Sequence, residues 1–266
     1  MHFALVDNTR QAAVPGLSGN CPGCGQPVVA KCGTRRIWHW AHRGVRMCDQ
    51  WWEPETDWHR AWKEHFDREW QEVIQFDPAA GEKHIADVRT AHGLVIEFQH
   101  SALHPDERRA REAFHGNMVW VVDGTRLKRD FPRFVAGLHS LRRTSHDSVF
   151  LHYWPDECFP EPWLTSTVPV FFDFRVAESD DWRRDTLWCL FPGRAENNAV
   201  IGRLDREAFV AAALRQERIL AADEIVQRLD AQMRESRLMA EQREREIQRG
   251  YAANRARAYG RRQRRF

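Results

Sequence analysis

The stretch HIADVRTAHGLVIEFQHS, residues 84–101, contains two runs that predict β-strands joined by a short turn at residues 91–93. Side chains alternate between the two faces of a strand, so the apolar side chains of Leu94, Ile96 and Phe98 share one face. Glu97 and Gln99 then lie on the opposite face. The second strand therefore carries a carboxylate and a carboxamide side by side, where the middle of a sheet ordinarily holds apolar groups.

The register of this hairpin brings a second carboxylate close to the first. A hairpin centred on His92 places Asp87 directly opposite Glu97, and opposed residues have Cβ atoms about 4.5–5.5 Å apart. Two like charges at that separation are unfavourable unless one is protonated or a cation lies between them. The pair therefore indicates a metal or a shared proton. The alternative is an ordinary solvent-facing strand in which Asp87 pairs with Arg89 or Lys83.

The composition is that of a globular protein, with 42% hydrophobic and 29% charged residues in a chain of 266. No stretch approaches the roughly 20 apolar residues that a membrane span needs, and residues 1–16 lack the features of a signal peptide. We therefore expect a cytoplasmic protein that does not contact a membrane. Six cysteines in that compartment are more typical of thiols or metal ligands than of disulfides.

Four regions differ in composition. Residues 1–50 contain four of the six cysteines and predict a small zinc-ribbon-like module. Residues 51–124 predict helix, strand, strand, strand, helix, strand, which is an α/β core. Residues 125–204, rich in tryptophan and proline, predict a mixed α/β extension, and residues 205–266 a charged helix with a basic tail. The individual elements expected are helices at 56–71 and 105–114 and strands at 72–76, 118–123, 168–176 and 186–191.

The cysteine-rich module predicts a structural zinc site. Cys21 and Cys24 form a CxxC knuckle whose thiolates can reach one ion at about 2.3 Å, and His42 with Cys48 completes a set of four. Zinc would explain how a segment with so little core folds. A redox CxxC or unligated thiols are the alternatives, but a thioredoxin-like motif brings no histidines.

Two more residues of the module are weaker zinc ligands. His39 is the reserve candidate, because it precedes His42 by three residues in the same short segment. Cys32 lies between Lys31 and Gly33, which predict the turn of a ribbon, and is therefore less well placed.

The helix expected at 56–71 has two rows of side chains four residues apart. One is an aromatic stripe that predicts a core-facing side. The second contains Glu55, His59 and Lys63, with Thr56 as the N-cap. This second row is either an exposed set of i,i+4 neighbours or a set that faces Asp87, Glu97 and Gln99. The aromatic stripe consists of Trp58, Trp62, Phe66 and Trp70.

The last 18 residues, Arg249–Phe266, contain seven arginines and no acidic residue, although the whole chain has a net charge of only +2. Arginines interleaved with Tyr251 and Tyr259 are typical of a flexible arm that binds nucleic acid. A solubilising or partner-binding helix end is equally consistent, and the helix before it could join a homodimer or a partner protein. The arginines expected to contact DNA are Arg255, Arg257, Arg261, Arg262, Arg264 and Arg265.

A series of motifs, in order and spacing, resembles the competence protein CoiA-like nuclease family. The resemblance covers about the first half of the chain and is only general beyond Gly124. The motifs are Cys21-Pro-Gly-Cys24, His39-Trp-Ala-His42, Cys48, Glu53-Pro-Glu55-Thr56, His59 with Lys63, Ala86-Asp87-Val88 and Ile96-Glu97-Phe98-Gln99-His100-Ser101.

The resemblance implies a PD-(D/E)XK fold, a restriction-endonuclease-like α/β core with a mixed sheet, and a nuclease that acts on DNA with Mg²⁺ or Mn²⁺. It implies Asp87 and Glu97 as ligands of that metal and Glu55 as the helix acid. Gln99 stands in place of the superfamily's lysine, so we expect it to align the attacking water. Lys63 could supply the missing cation, and His59 or Lys63 would contact the scissile phosphate.

Two other functions remain open at this stage. One is a zinc-containing DNA-binding accessory protein of recombination that does not cut, which the glutamine at position 99 favours. The other is a zinc-ribbon protein that recruits partners through its C-terminal helix, which leaves Asp87 and Glu97 unexplained. Uptake, recombination and defence are the settings in which such DNA processing is expected.

Overall fold

Two β-sheets and six α-helices form the part of the chain that the computed structural model describes. That part comprises residues 1–44, 49, 51, 53–77, 81–176 and 181–263, with side chains described as far as residue 255. Within it no helix combines the length and the apolar character that crossing a membrane requires. The architecture is therefore a mixed α+β fold, as expected from the sequence.

The smaller sheet belongs to the N-terminal module. Its strands run in the order β2-β1-β3-β4-β5, and every neighbouring pair is antiparallel. A small core of its own lies against it and includes the fully buried Trp40. The strands are β1 (Phe3–Val6), β2 (Thr9–Ala12), β3 (Ser18–Asn20), β4 (Pro27–Lys31) and β5 (His39–His42).

The larger sheet begins with the element order predicted from the sequence: helix, three strands, helix, strand. The helix between the third and fourth strands allows those two strands to run parallel, whereas the hairpin is antiparallel. These elements are α1 (Asp57–Lys63), β6 (Gln71–Asp77), β7 (Glu82–Arg89), β8 (Val95–Gln99), α2 (Pro105–His115) and β9 (Met118–Asp123).

The same sheet continues through residues 125–204. Its nine strands have the order β10-β11-β14-β13-β12-β9-β8-β7-β6, with β12 parallel to β9. One sheet thus crosses the composition change at Gly124, while the domain limits drawn from composition stay predictions. The remaining elements are α3 (Asp130–Gly137), β10 (Arg142–Arg143), β11 (Val149–His152), β12 (Val170–Asp173), α4 (Trp182–Asp185), β13 (Thr186–Leu190), β14 (Ala199–Asp205), α5 (Arg206–Arg215) and α6 (Ala222–Gln263).

Helix α1 begins where the sequence predicts and ends earlier. Thr56 is the N-cap and forms a capping box with His59. The expected continuation to residue 71 is wrong, because the Gln71 side chain donates to the carbonyl oxygens of Lys63 and Phe66, at 2.9 Å each, and so terminates the helix. A 3₁₀ turn at Arg68–Trp70 replaces the last predicted turn.

Strand β8 is covered on both faces. Leu94, Ile96 and Phe98 lie in one core with Trp62, which confirms the predicted alternation. Val95, on the other face, lies in a second core with Trp120. The polar residues Glu97 and Gln99 are therefore buried in the middle of the sheet, with 4% and 2% of their surface exposed.

The C-terminal helices divide into a packed part and an exposed part. Phe209 of α5 and Val226 and Leu229 of α6 pack on the core that contains Phe98. Beyond Met233, α6 is exposed through residue 255. The tail is helical as far as Gln263, which agrees with the alternative of a helix end, while a nucleic-acid-binding arm stays a prediction.

Candidate active site and metal centre

The sheet opens where β7 separates from β8. Val88 pairs with Ile96 and Arg89 with Val95, which confirms the predicted register and, continued by one residue, brings Asp87 opposite Glu97. The backbone pairing stops there. Asp87 N donates to Glu97 Oε1 at 3.1 Å, and Phe98 N donates to Asp87 Oδ2 at 3.0 Å. The two carboxylates thus accept the N–H groups that the strands leave without a ladder partner.

A third carboxylate, Glu72 on β6, lies next to Asp87. The β6–β7 register pairs Gln71 with Val88 and Val73 with Ala86, so Glu72 and Asp87 are neighbours across the strands. Glu72 has a positive φ of 47°, a conformation that costs a non-glycine residue roughly 1–3 kcal/mol. Its carboxylate accepts the backbone N–H groups of His2 at 2.6 Å and Phe3 at 3.1 Å, and so joins the N-terminal module to the sheet.

Lys63, the last residue of α1, lies among these acids. Its Nζ is 2.9 Å from Asp87 Oδ1, 3.4 Å from Glu55 Oε1 and 3.8 Å from Glu72 Oε1. Burial alone would lower the pKa of Lys63, but the charges of Asp87, Glu55 and Glu72 raise it well above its ordinary value. The ammonium group is therefore charged and bridges three elements.

Glu55 is the second partner of this lysine. Burial opposes its ionisation, but the charges of Lys63 and Arg60 outweigh it and lower the pKa of Glu55 to about 2. Arg60 Nη2 donates to Glu55 Oε2 at 2.7 Å. Glu55 is thus an anion held by two cations of the same helix.

The pKa of Glu97 is shifted in the opposite direction from that of Glu55. Burial, and then the charge of Asp87, raise the pKa of Glu97 to about 8, and the charge of Arg111 offsets this only in part. Arg111 Nη1 is 3.5 Å and His115 Nε2 is 3.7 Å from the carboxylate. Near neutral pH Glu97, buried beside Asp87, therefore keeps a proton or needs a cation beside it, the two outcomes that the sequence indicates.

Glu53 organises the polar groups beyond Glu97. Its carboxylate accepts from His59 Nε2 at 2.8 Å, from Gln99 Nε2 at 3.1 Å and from the Ser101 hydroxyl. Although burial opposes ionisation, the hydrogen bonds from His59 and Ser101 lower the pKa of Glu53 to about 2. His59 also donates to Phe98 O at 3.0 Å. His59 therefore binds Glu53 and the backbone of β8, and the structure gives it no contact with Asp87.

The orientation of the Gln99 side chain follows from these contacts. Its amide nitrogen donates to Glu53 Oε2 and, at 3.2 Å, to Ser101 O, and both atoms can only accept. The amide oxygen of Gln99 is buried and has no hydrogen-bond partner among the described residues. Gln99 thus lies behind Glu53 rather than on the surface of the cleft.

One cleft of about 650 Å³ gathers most of the predicted site residues. Of the six residues predicted as catalytic, Glu55, His59, Lys63, Asp87 and Glu97 line it, and Gln99 does not. Four polar residues of the lining were missed by the sequence reasoning. Glu53 could have been found, since it stands in the same acidic motif as Glu55, whereas no local pattern marks the other three. The four are Asp49, Glu53, Glu72 and Arg111.

A separate candidate metal centre lies in the N-terminal module. Sulfur atoms of Cys21 and Cys24 and a ring nitrogen of His42 all lie within 4.8 Å of one another, and Cys24 Sγ is 3.3 Å from His42 Nε2. The knuckle is shaped by Gly25, whose φ is +71° and whose N–H donates to Cys21 O at 2.8 Å. Two thiols and an imidazole are a donor set that can hold zinc.

The other predicted zinc ligands do not join this set. Cys48 lies outside the described residues. On β5 the side chains of Trp40 and His42 share the face of the small core, so His39 lies on the opposite face, where its Nδ1 is 2.9 Å from Ile37 O. Cys32 is not part of the set either. Among the described residues, Cys21, Cys24 and His42 are the one group of at least three possible metal ligands whose ligand atoms all lie within 4.8 Å of one another. The carboxylates of the cleft therefore do not converge as closely.

The arginines of the tail are described only in part. Arg255 is exposed on α6. Arg257, Arg261 and Arg262 continue the helix without described side chains, and Arg264 and Arg265 lie outside the described residues. Their contacts with nucleic acid stay a prediction.

The fold and the site together define a mixed α+β protein with an acidic cleft and a Cys₂His centre. Residues 19–50 match the family model described as competence protein CoiA, N-terminal domain. Over this segment, which includes the three candidate metal ligands, the chain is similar to CoiA proteins. Comparison with curated proteins and with solved structures gave no match.

Proposed function

We propose that the protein is a metal-dependent nuclease that hydrolyses DNA phosphodiester bonds. The observation that carries the proposal is the pair of neighbouring carboxylates, the half-buried Asp87 and the buried Glu97, at the point where β7 and β8 separate. Each accepts a backbone N–H of the other strand, so their positions are fixed by the sheet. Lys63 contacts the same pair through Asp87 at 2.9 Å.

The element order around this pair supports a PD-(D/E)XK core. Helix α1 precedes β6, β7 and β8, and α2 leads into β9, which is parallel to β8. The acids come from two adjacent strands and, through Glu55, from the segment directly before the N-cap of α1. This is the arrangement that the resemblance to CoiA-like nucleases implies.

The donor set fits Mg²⁺ or Mn²⁺. Both are hard cations that prefer carboxylate oxygens, and Asp87 and Glu97 supply these. Burial, and then the negative charge of Asp87, raise the pKa of Glu97 to about 8, and a divalent cation beside the two carboxylates would offset both effects. When bound, such a cation lowers the pKa of a water molecule and neutralises charge on the phosphoryl oxygens.

The side chains of the cleft have roles of their own. Lys63 forms an ion pair with Asp87 and carries a positive charge that a phosphate can approach. Glu53 fixes the orientation of His59 and Gln99 through hydrogen bonds of 2.8 and 3.1 Å. Because Gln99 is 2% exposed and lies outside the lining, we assign it to positioning Glu53. Alignment of water by Gln99 stays a prediction.

The zinc centre supports the fold rather than the reaction. It lies in the module whose residues His2 and Phe3 donate their backbone N–H groups to Glu72, so a folded module is needed to hold Glu72 beside Asp87. The match of residues 19–50 to CoiA supports a role in competence-related DNA processing, such as uptake or recombination.

A cleavage assay tests the proposal. Labelled single-stranded and double-stranded DNA are incubated with the zinc-loaded protein and Mg²⁺ or Mn²⁺, or with neither. Cleavage should require the added cation. Asp87→Ala and Glu97→Ala should each abolish it while binding is kept, whereas Glu69→Ala, a change at an exposed acid outside the cleft, should leave it intact.

A second candidate function is a DNA-binding accessory protein that does not cut. Lys63 favours it, because its ammonium group already lies among Asp87, Glu55 and Glu72, where it neutralises these acids without a metal. DNA binding with no cleavage under any metal or substrate form would select this function and refute the nuclease.

A further inference from the structure

The N-terminal module has an unusual charge distribution. Residues 8–48 contain six basic residues and no acidic residue. Two of the six have structural contacts, since Arg10 donates to backbone oxygens of Arg68 and Gln71 and Arg43 donates to Ser18 Oγ. Strong positive charge that is not used within the fold is a feature of surfaces that bind polyanions.

Three of the remaining cations share one surface. Lys31, Arg35 and Arg36 are exposed, and none makes an ion pair with an acidic residue in the described part of the chain. Together with His39 they line an open groove of about 1100 Å³. We call this the basic groove.

The strand geometry places the basic groove on the face of β4 and β5 that points away from the small core. Lys31 of β4 pairs with His39 of β5, and side chains alternate along both strands. Trp40 and His42 turn toward the small core and the metal centre, so His39 and Ala41 face the other way and line the groove. The zinc site and the groove thus use opposite faces of the same two strands.

An exposed aromatic ring stands at one end of this segment. Trp38 has 46% of its surface exposed and follows Arg36 by two residues. The face of an indole ring stacks on an unpaired base, whereas the bases of a duplex are stacked on one another and are not available. The combination of adjacent cations and a free aromatic ring therefore favours a single strand.

One arginine joins Trp38, which neighbours the groove in sequence, to the acidic cleft. Arg60 Nη2 donates both to Trp38 O at 3.1 Å and to Glu55 Oε2 at 2.7 Å. Glu55 lines the cleft. A strand that stacks on Trp38 would consequently lie next to the rim of the cleft.

We propose that the basic groove binds single-stranded nucleic acid, with phosphates on Lys31, Arg35 and Arg36 and a base stacked on Trp38. The inference deepens the proposed function, because it names the single strand as the form that is led to the cleft. Binding itself does not depend on cleavage, so the two proposals can fail separately.

The test is fluorescence anisotropy with a labelled 20-nucleotide strand and with the duplex of the same sequence. The full-length zinc-loaded protein carries Asp87→Ala throughout and no divalent cation is added beyond the bound zinc, so cleavage cannot affect the reading. On this background Arg35→Ala with Arg36→Ala, Trp38→Ala and Trp38→Phe are compared. The matched control is Arg142→Ala with Arg143→Ala, two adjacent arginines of β10 at the far edge of the sheet.

The expected results differ between the variants. Arg35→Ala with Arg36→Ala removes two phosphate contacts. The slope of log affinity against log salt should therefore fall in magnitude by about 1.4, at roughly 0.7 per contact on a single strand. Trp38→Ala should weaken single-strand binding by roughly 5- to 150-fold and duplex binding much less, and Trp38→Phe should recover part of the loss. The control should bind as the parent does.

Two results would overturn the proposal. Unchanged single-strand affinity in both groove variants, with zinc content and circular dichroism as in the parent, would remove the groove from nucleic-acid binding. Equal losses on duplex and single strand in Trp38→Ala would reject stacking and with it the assignment to single strands.

Discussion

We expect the charge state of Glu97 to make stability depend on pH and on divalent metal, and Glu97→Gln isolates that dependence. A glutamine has the shape of the protonated carboxylic acid, and its oxygen can still accept the N–H of Asp87. It cannot ionise. The difference in unfolding free energy between the variant and the wild type therefore measures the cost of the buried charge.

The magnitude follows from the pKa. The ordinary value for a glutamate is 4.5 and the value in the folded protein is about 8, and each unit corresponds to about 1.4 kcal/mol. Full ionisation of Glu97 thus costs about 5 kcal/mol. Because the folded pKa is the higher one, the stabilising effect of the proton is complete below pH 4.5 and is lost as the pH rises through 8.

The measurement is urea unfolding of zinc-loaded wild type and Glu97→Gln between pH 5 and pH 9. The two proteins should have similar stability at pH 5, and the variant should be the more stable by about 3–5 kcal/mol at pH 9. Glu69→Gln, at an exposed position, should follow the wild type. The shifted pKa values of Glu53 and Glu55, both about 2, affect stability at lower pH and do not enter this window.

A divalent cation should restore the stability that the wild type loses at high pH. At pH 8, Mn²⁺ at 100 times its dissociation constant should stabilise the wild type by about 2.7 kcal/mol and Glu97→Gln much less, because the amide has lost the charged ligand. If the variant is instead less stable than the wild type at pH 9, with no response to Mn²⁺ in either protein, Glu97 is an ordinary buried anion paired with Arg111 and the reasoning fails.

Three further predictions concern other parts of the molecule. The purified protein should contain about one zinc per chain. Cys21→Ser should lower zinc content and melting temperature together, since the energy of zinc binding contributes to folding. Metal analysis that finds no zinc after mild purification would refute the site. Deletion of residues 249–266 should weaken DNA affinity and flatten its salt dependence, because phosphate contacts are lost; an unchanged salt series would make the tail a partner-binding or solubility element. Gln99→Ala should reduce cleavage less than Asp87→Ala, because the amide of Gln99 positions Glu53 and holds no metal. Gln99→Lys should keep activity, since a lysine can also pair with Glu53. A loss of cleavage in Gln99→Ala as complete as that in Asp87→Ala would give Gln99 a direct role.

The parts of the site that the sequence predicted depend on short-range rules. The turn at residues 91–93 and the alternation of side chains set the register of β7 and β8, so the meeting of Asp87 and Glu97 could be derived. The capping role of Thr56 and the position of Lys63 followed in the same way from helical spacing. Cys21, Cys24 and His42 were found because ligand spacing is itself local.

The parts that were missed depend on contacts between distant segments. Glu72 meets Asp87 through strand pairing, but its positive φ and its bonds to His2 and Phe3 depend on a module 70 residues away in sequence. Arg111 reaches Glu97 only because α2 packs over the second face of the sheet. The early end of α1 depends on Gln71, whose propensity alone gives no stop signal. Such positions are set by packing, which periodicity does not encode.

Binding of Mn²⁺ to the cleft is the most direct test of the claim that Asp87 and Glu97 together hold a divalent cation. Zinc-loaded wild type and Asp87→Ala are titrated with Mn²⁺ at pH 8, and the free ion is followed by electron paramagnetic resonance. The wild type should bind Mn²⁺ at a site that Asp87→Ala lacks, while both proteins keep their zinc. Equal Mn²⁺ binding by the two proteins, or none by the wild type at millimolar concentration, would contradict the claim.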